Sequence, residues 1–66
     1  MQLTINGKPE TLEVSTISDV LKAKDIDPQL VAVELNTQMI ENEHLSTTSV
    51  KDGDKLEFLF FMGGGL

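Results

Sequence analysis

Met1, Leu3 and Ile5 alternate with polar neighbours at the start of the chain, and Leu12 and Val14 resume the alternation after Asn6-Gly7-Lys8-Pro9. A period of two marks a strand with one buried face. Asn-Gly accepts the positive φ angles of a type I′ turn, and Pro9 sits where it need not donate to a ladder, so the stretch predicts a β-hairpin. The period then changes: Ile17, Val20 and Leu21 fall at i, i+3 and i+4, the spacing of one helix face. Thr16 is placed to cap that helix. Asp19, three residues on, makes a short-acid version of the capping box and suits the positive end of the helix dipole, while Lys22 and Lys24 suit the negative end. A helix over about residues 16–24 follows, ended by Asp25, Asp27 and Pro28, because proline disfavours helix in the residue before it.

The run Leu-Val-Ala-Val-Glu-Leu-Asn sets Val31, Val33 and Leu35 against Ala32 and Glu34, which predicts an interior strand. Beyond it Met39, Ile40, Leu45 and Val50 are isolated among polar residues, the pattern of a short strand and an irregular turn dipping into a core. Lys51-Asp52-Gly53-Asp54 reads as a turn. The last strand then carries Leu56, Phe58 and Phe60 on one face and Glu57, Leu59 and Phe61 on the other. The order β-β-α-β-(β)-β can bury the helix stripe against one face of a mixed sheet. That is an α+β roll, and a β-grasp arrangement if the last strand lies beside the first. The expected organisation is a folded domain over residues 1–62 and a flexible glycine-rich tail over 63–66.

Composition narrows the chemistry. At 66 residues the chain is one domain near the lower size limit for unaided folding. It has no cysteine, which removes disulfides, thiolate catalysis and zinc–thiolate sites. Glu41, Glu43 and His44 make a small polar cluster, but one histidine without further ligands reads as a solvated loop, and no metal site is expected. Asp52-Gly53-Asp54 lacks the remaining ligands of a calcium loop and reads as a turn in which Gly53 supplies positive φ. Five basic against eleven acidic residues give a net charge of −6. That charge disfavours nucleic acid and acidic membranes as partners and favours a basic protein surface, toward which Asp19, Glu34 and Glu57 are candidate contacts. No apolar run approaches a membrane span and no apolar signal segment opens the chain, so a soluble, cytoplasmic protein is expected.

All three aromatic residues, Phe58, Phe60 and Phe61, stand in the last strand. A domain this small can bury one face of that strand, so Leu59 and Phe61 should be at least partly exposed and, with Met62, read as a docking surface. The alternative is that Phe61 and Met62 cap the end of the core. Gly63, Gly64 and Gly65 add neither core nor rigidity, so they are there for another purpose. They are not a phosphate-binding loop, which would need a following lysine and helix.

Taken together, the element order, the Val-Glu-Leu-Asn strand, the turn and strand from Val50 to Leu59 and the terminal glycines resemble the ThiS family of sulfur carriers. These are small ubiquitin-like β-grasp proteins of thiamine biosynthesis, and the resemblance covers essentially the whole chain. It implies a carrier and cosubstrate rather than an enzyme. An E1-like, ATP-dependent adenylyltransferase would activate the C-terminal carboxylate of Gly65, a persulfide sulfur donor would displace AMP to leave a thiocarboxylate, and thiazole synthase would receive the sulfur. No cofactor is bound by the carrier, and the ATP belongs to the activating enzyme. A carboxylate is a poor acyl donor until its oxygen becomes part of a leaving group, and AMP provides one. Gly63 and Gly64 would form a slender arm that a confined active site can admit.

One departure stands out: the family's chain ends on glycine and this one continues to Leu66. A residue left by a tag linker is the favoured explanation, trimming by a peptidase the second, and an inactive relative the third. Two further readings use the same features differently. One is a carrier resembling the small subunit of molybdopterin synthase. The other is a β-grasp interaction module or protein modifier.

Overall fold

The predicted hairpin pairs β1 (Gln2–Ile5) with β2 (Lys8–Thr11) in the register Leu3↔Glu10 and Ile5↔Lys8 in the computed structural model, which describes residues 1–61. Expectations placed on Met62, Gly63, Gly64, Gly65 and Leu66 lie outside the described residues. Asn6 at φ 50° and Gly7 at φ 82° both occupy the left-handed region, as a type I′ turn requires. Pro9 lies opposite Thr4 on an edge strand, where its missing N–H costs no ladder bond. The strand is shorter than the alternation predicts. It ends at Thr11, and Leu12 and Val14 pack partly buried against the core from the loop that follows.

Helix α1 (Ile17–Ala23) begins with the predicted reciprocal cap. The Thr16 hydroxyl accepts from the Asp19 amide at 3.2 Å, and the Asp19 carboxylate accepts from the Ser15 and Thr16 amides at 3.0 and 3.1 Å. Ile17, Val20 and Leu21 are its buried stripe. Lys24 is the C-cap, and Asp25, at φ 58°, turns the chain away. Pro28 then opens a short 3₁₀ turn (Pro28–Leu30), a position where its fixed φ is an advantage.

β3 (Val31–Leu35), β4 (Gln38–Ile40) and β5 (Lys55–Phe60) complete one sheet in the order β2-β1-β5-β3-β4. β5 pairs parallel with β1 and antiparallel with β3, so the last strand does lie beside the first, at the centre of a mixed sheet crossed by one helix. This is the expected β-grasp roll, and β3 is interior as predicted. The core joins Leu3 and Ile5, Val31 and Val33, Leu56 and Phe58 of the sheet to the helix stripe. Leu45 and Val50 close it from the connection that holds the second 3₁₀ turn (Asn42–His44).

Two apolar positions depart from the sequence reading. Phe60, on the same face of β5 as Leu56 and Phe58, is 56% exposed. A helix of seven residues is only about 10 Å long, and β1 parts from β5 after Ile5↔Leu56, so cover runs out at Phe58. Met39 does not dip into the core either. It pairs with Glu34, which puts it on the open face of the sheet.

Candidate functional site

Strand alternation sends neighbouring residues of β5 to opposite destinations. Leu56 and Phe58 are buried beneath the helix, whereas Leu59, on the helix-free side, is 50% exposed and Phe61, just past the strand, 55%. The pairing Ala32↔Leu59 and a 2.9 Å bond from the Phe61 amide to the Leu30 carbonyl set Leu30 and Ala32 beside them. Leu30, Ala32, Leu59 and Phe61 therefore form an apolar patch at the end of the sheet from which the chain continues to Met62. Leu59 and Phe61 are exposed, as the sequence reading expects. Leu30 was missed. Leu30 shares the parity of Ala32, a signal readable in the sequence once the strand is extended backward by one turn residue.

An acidic pair borders the patch. Glu34 and Glu57 are direct cross-strand partners, and neither has an ion-pair partner among the described residues. Like charges placed opposite each other cost stability, so this is a surface poised to gain from a basic neighbour. Asp19 does not belong to it. Its carboxyl is held below the usual aspartate range, first by the Ser15 amide and then by that of Thr16, and its task is to cap α1.

The central strand is fastened at its start and again at Phe58 by asparagines in left-handed turns. Asn36, at φ 50°, donates its amide to the Lys55 carbonyl at 2.8 Å and accepts from the Lys55 amide through Oδ1 at 2.9 Å. Its Nδ2 donates to buried Asp54 at 3.0 Å. Asn6 accepts from the Phe58 amide through Oδ1 at 2.7 Å and donates from Nδ2 to the Phe58 carbonyl at 3.4 Å. Sequence reading found the turn role of Asn6 but neither clamp, because both depend on which strand lies alongside.

The other sequence candidates resolve into turn structure. Asp52 accepts from the Gln2 amide and Asp54 from the Lys51 amide, with Gly53 at φ 91°, as the turn reading requires. His44 is exposed 3.8 Å from Glu43, and no cluster suited to a metal ion is present among the described residues. On the helix side a groove of about 320 Å³ opens between the hairpin and the end of α1, with Phe60 on its wall and the Lys24–Glu10 ion pair across it. Among the described residues no helix is long and apolar enough to cross a membrane.

Comparison with known proteins bears on all of this. The ThiS family pattern matches residues 3–65. The chain is 45% identical to the crystal structure of the thiamine biosynthesis protein ThiS from Geobacter metallireducens, with a TM-score of 0.84 over 98% of this chain and 100% of that one. It is 33% identical over 61 residues to the sulfur carrier protein ThiS of Thermus thermophilus, covering 92% of this chain and 95% of that protein. It is also 38% identical over 66 residues to the thiazole synthase of Paramagnetospirillum magneticum, covering 98% of this chain but only 20% of that protein's length. With its sheet order, its central last strand and a match that runs through Gly65, the chain belongs to the ThiS family.

Proposed function

We propose that this protein is a sulfur carrier of thiamine biosynthesis, acting as cosubstrate rather than catalyst. The observation that carries the reading is the family match through Gly65, joined to a rigid body that presents an apolar patch beside the last described residue. The body supplies recognition and the glycine end supplies chemistry. Leu59 and Phe61, with Leu30 added by the fold and Met62 continuing from them, dock the partner. The Glu34–Glu57 pair favours a partner with basic groups facing it. Gly63 and Gly64 carry the end into the active site.

The chemistry follows from the terminal carboxylate. An E1-like adenylyltransferase uses ATP to join the Gly65 carboxylate to AMP, releasing pyrophosphate. The terminal sulfur of a persulfide displaces AMP, and a second thiol reduces the resulting acyl disulfide to leave a thiocarboxylate. With no cysteine in the sequence, the chain has no thiol side chain to hold the sulfur instead. ATP is the activating enzyme's substrate, and no resident cofactor is required.

Thiazole synthase is the proposed recipient. A relative of this chain forms part of a polypeptide named thiazole synthase, which supports a working pair of carrier and recipient. Joining two such modules raises their effective concentration for each other. Names referring to thiamine among the relatives favour this recipient over molybdopterin synthase.

Incubation of chains ending at Gly65 and at Leu66 with the activating enzyme and ATP, read by intact-protein mass spectrometry, tests the proposal. Only the chain ending at Gly65 should gain AMP and, with a persulfide donor and thiol, exchange one oxygen for sulfur. Equal conversion of the Leu66 form contradicts the assignment to Gly65.

A further inference from the structure

The chain has three asparagines, Asn6, Asn36 and Asn42, and only Asn6 precedes a glycine. An asparagine carboxamide is an acyl group close to the amide nitrogen of the next residue, and a five-membered ring closes when that nitrogen attacks Cγ. A side chain on the next residue obstructs the attack, and glycine has none. Gly7 is open in two further respects. A methyl group in place of its missing side chain would meet nothing within 4 Å, and among the described residues its N–H has no hydrogen-bond acceptor. Asp52-Gly53 offers the contrast. There the glycine N–H donates to the Gln2 carbonyl at 2.7 Å and the Asp52 carboxylate accepts from the Gln2 amide at 2.6 Å, so nucleophile and acyl group are both tied.

Two features of the fold keep Asn6 from reacting. The left-handed turn, with Asn6 at φ 50° and Gly7 at φ 82°, sets the Gly7 nitrogen on the far side of the Asn6 Cα–C bond from Cβ. The carboxamide is itself engaged with β5, accepting from the Phe58 amide at 2.7 Å and donating to the Phe58 carbonyl at 3.4 Å. Ring closure needs both released, so the turn must first come away from β5.

We propose that Asn6-Gly7 is a self-modification site held shut by the fold, deamidating when the β1–β2 turn leaves β5. The Gly7 nitrogen gives up its proton and bonds to Asn6 Cγ, the Cγ–Nδ2 bond breaks, and Nδ2 leaves as ammonia with that proton. Water then opens the succinimide at either carbonyl, giving aspartate or isoaspartate at position 6. Neither product restores the native contacts. Aspartate keeps an acceptor for the Phe58 amide but sets a carboxylate, with no donor, against the Phe58 carbonyl. Isoaspartate lengthens the main chain inside the two-residue turn that sets the register of β1 on β2. A reversible opening thus leaves a permanent mark, independent of any sulfur chemistry.

The test incubates the intact protein in mildly alkaline buffer at a series of urea concentrations from none to fully denaturing. Peptide mapping follows aspartate and isoaspartate at all three asparagine positions, and amide exchange at Phe58 follows opening. Conversion of Asn6 should be at least about tenfold slower in the folded protein than in denaturing urea and should rise across the series in step with Phe58 exchange. Asn36, before the β-branched Thr37, and Asn42, before Glu43, should stay intact over the same period. Leu56→Ala, which weakens the core beneath β5, should convert faster than wild type without urea, and at the denatured rate should it fail to fold. Asn6→Asp should lower the melting temperature. Equal rates for Asn6 in folded and denatured protein overturn the gating, and conversion of Asn36 or Asn42 as fast as Asn6 overturns the site. An unchanged melting temperature for Asn6→Asp overturns the lasting effect on the fold.

Discussion

The two faces of β5 both carry large apolar residues and lead opposite lives. On one, Leu56 and Phe58 disappear beneath α1. On the other, Leu59 stays about half exposed, as does Phe61 just past the strand, beside Leu30 and next to two glutamates that repel each other. One backbone thus serves both faces, yet only the first contributes to folding. On the proposed sulfur-carrier reading, hydrophobicity in this strand has two purposes, cohesion on one side and recognition on the other. The central position of β5 would then anchor the residues proposed to meet a partner in the middle of the sheet.

That contrast can be broken from the inner face first. Leu56→Ala should cost about 3 kcal/mol, most of the stability that a single small core supplies, and urea or thermal denaturation should find the variant largely unfolded at 37 °C. The same operation on the outer face should do nothing of the kind. Phe61→Ser and Leu59→Ser should change stability by no more than about 0.5 kcal/mol, yet each should weaken association with the activating enzyme or thiazole synthase about tenfold by titration calorimetry. A stability loss at Phe61 comparable to that at Leu56 would erase the distinction between the faces.

The acidic border sharpens the contrast, because it predicts opposite signs. Glu57→Gln relieves the repulsion with Glu34 and should raise stability by about 0.5 kcal/mol while weakening association a few-fold, most visibly at low salt. If stability and affinity rise together, the pair is not a recognition feature.

Asp19 supplies the smallest effect and lies outside both faces. Its carboxyl binds protons less readily folded than unfolded, because the Ser15 and Thr16 amides bond its ionised form. Its contribution is therefore complete above the ordinary value of 3.8 and is lost as pH falls through the lowered folded value. Asp19→Asn should be slightly less stable at neutral pH and show a flatter loss of stability on acidification, measured as melting temperature against pH.

Much of this was legible in the sequence because its signals are local. The Asn6-Gly7 turn, the Thr16–Asp19 cap, the helix stripe and the alternation of β5 each depend on residues a few positions apart. The exposure of Leu59 and Phe61 followed from alternation and size alone. What escaped reading depends on partners distant along the chain. Phe60 obeys the alternation but outruns the length of α1. Met39 could be assigned a face only once its pairing with Glu34 was known. The clamps by Asn6 and Asn36 are invisible without the neighbouring strand, because an asparagine in a left-handed turn looks the same whether or not its carboxamide reaches β5.

Transfer of labelled sulfur from a persulfide donor to the thiazole product, in a reconstituted mixture of activating enzyme, thiazole synthase and this protein, probes the division of labour most directly. A chain ending at Gly65 should pass the label through a thiocarboxylate, and a chain shortened by Gly64 and Gly65 should fold and dock as before yet pass none. Undiminished transfer by the shortened chain would contradict the account.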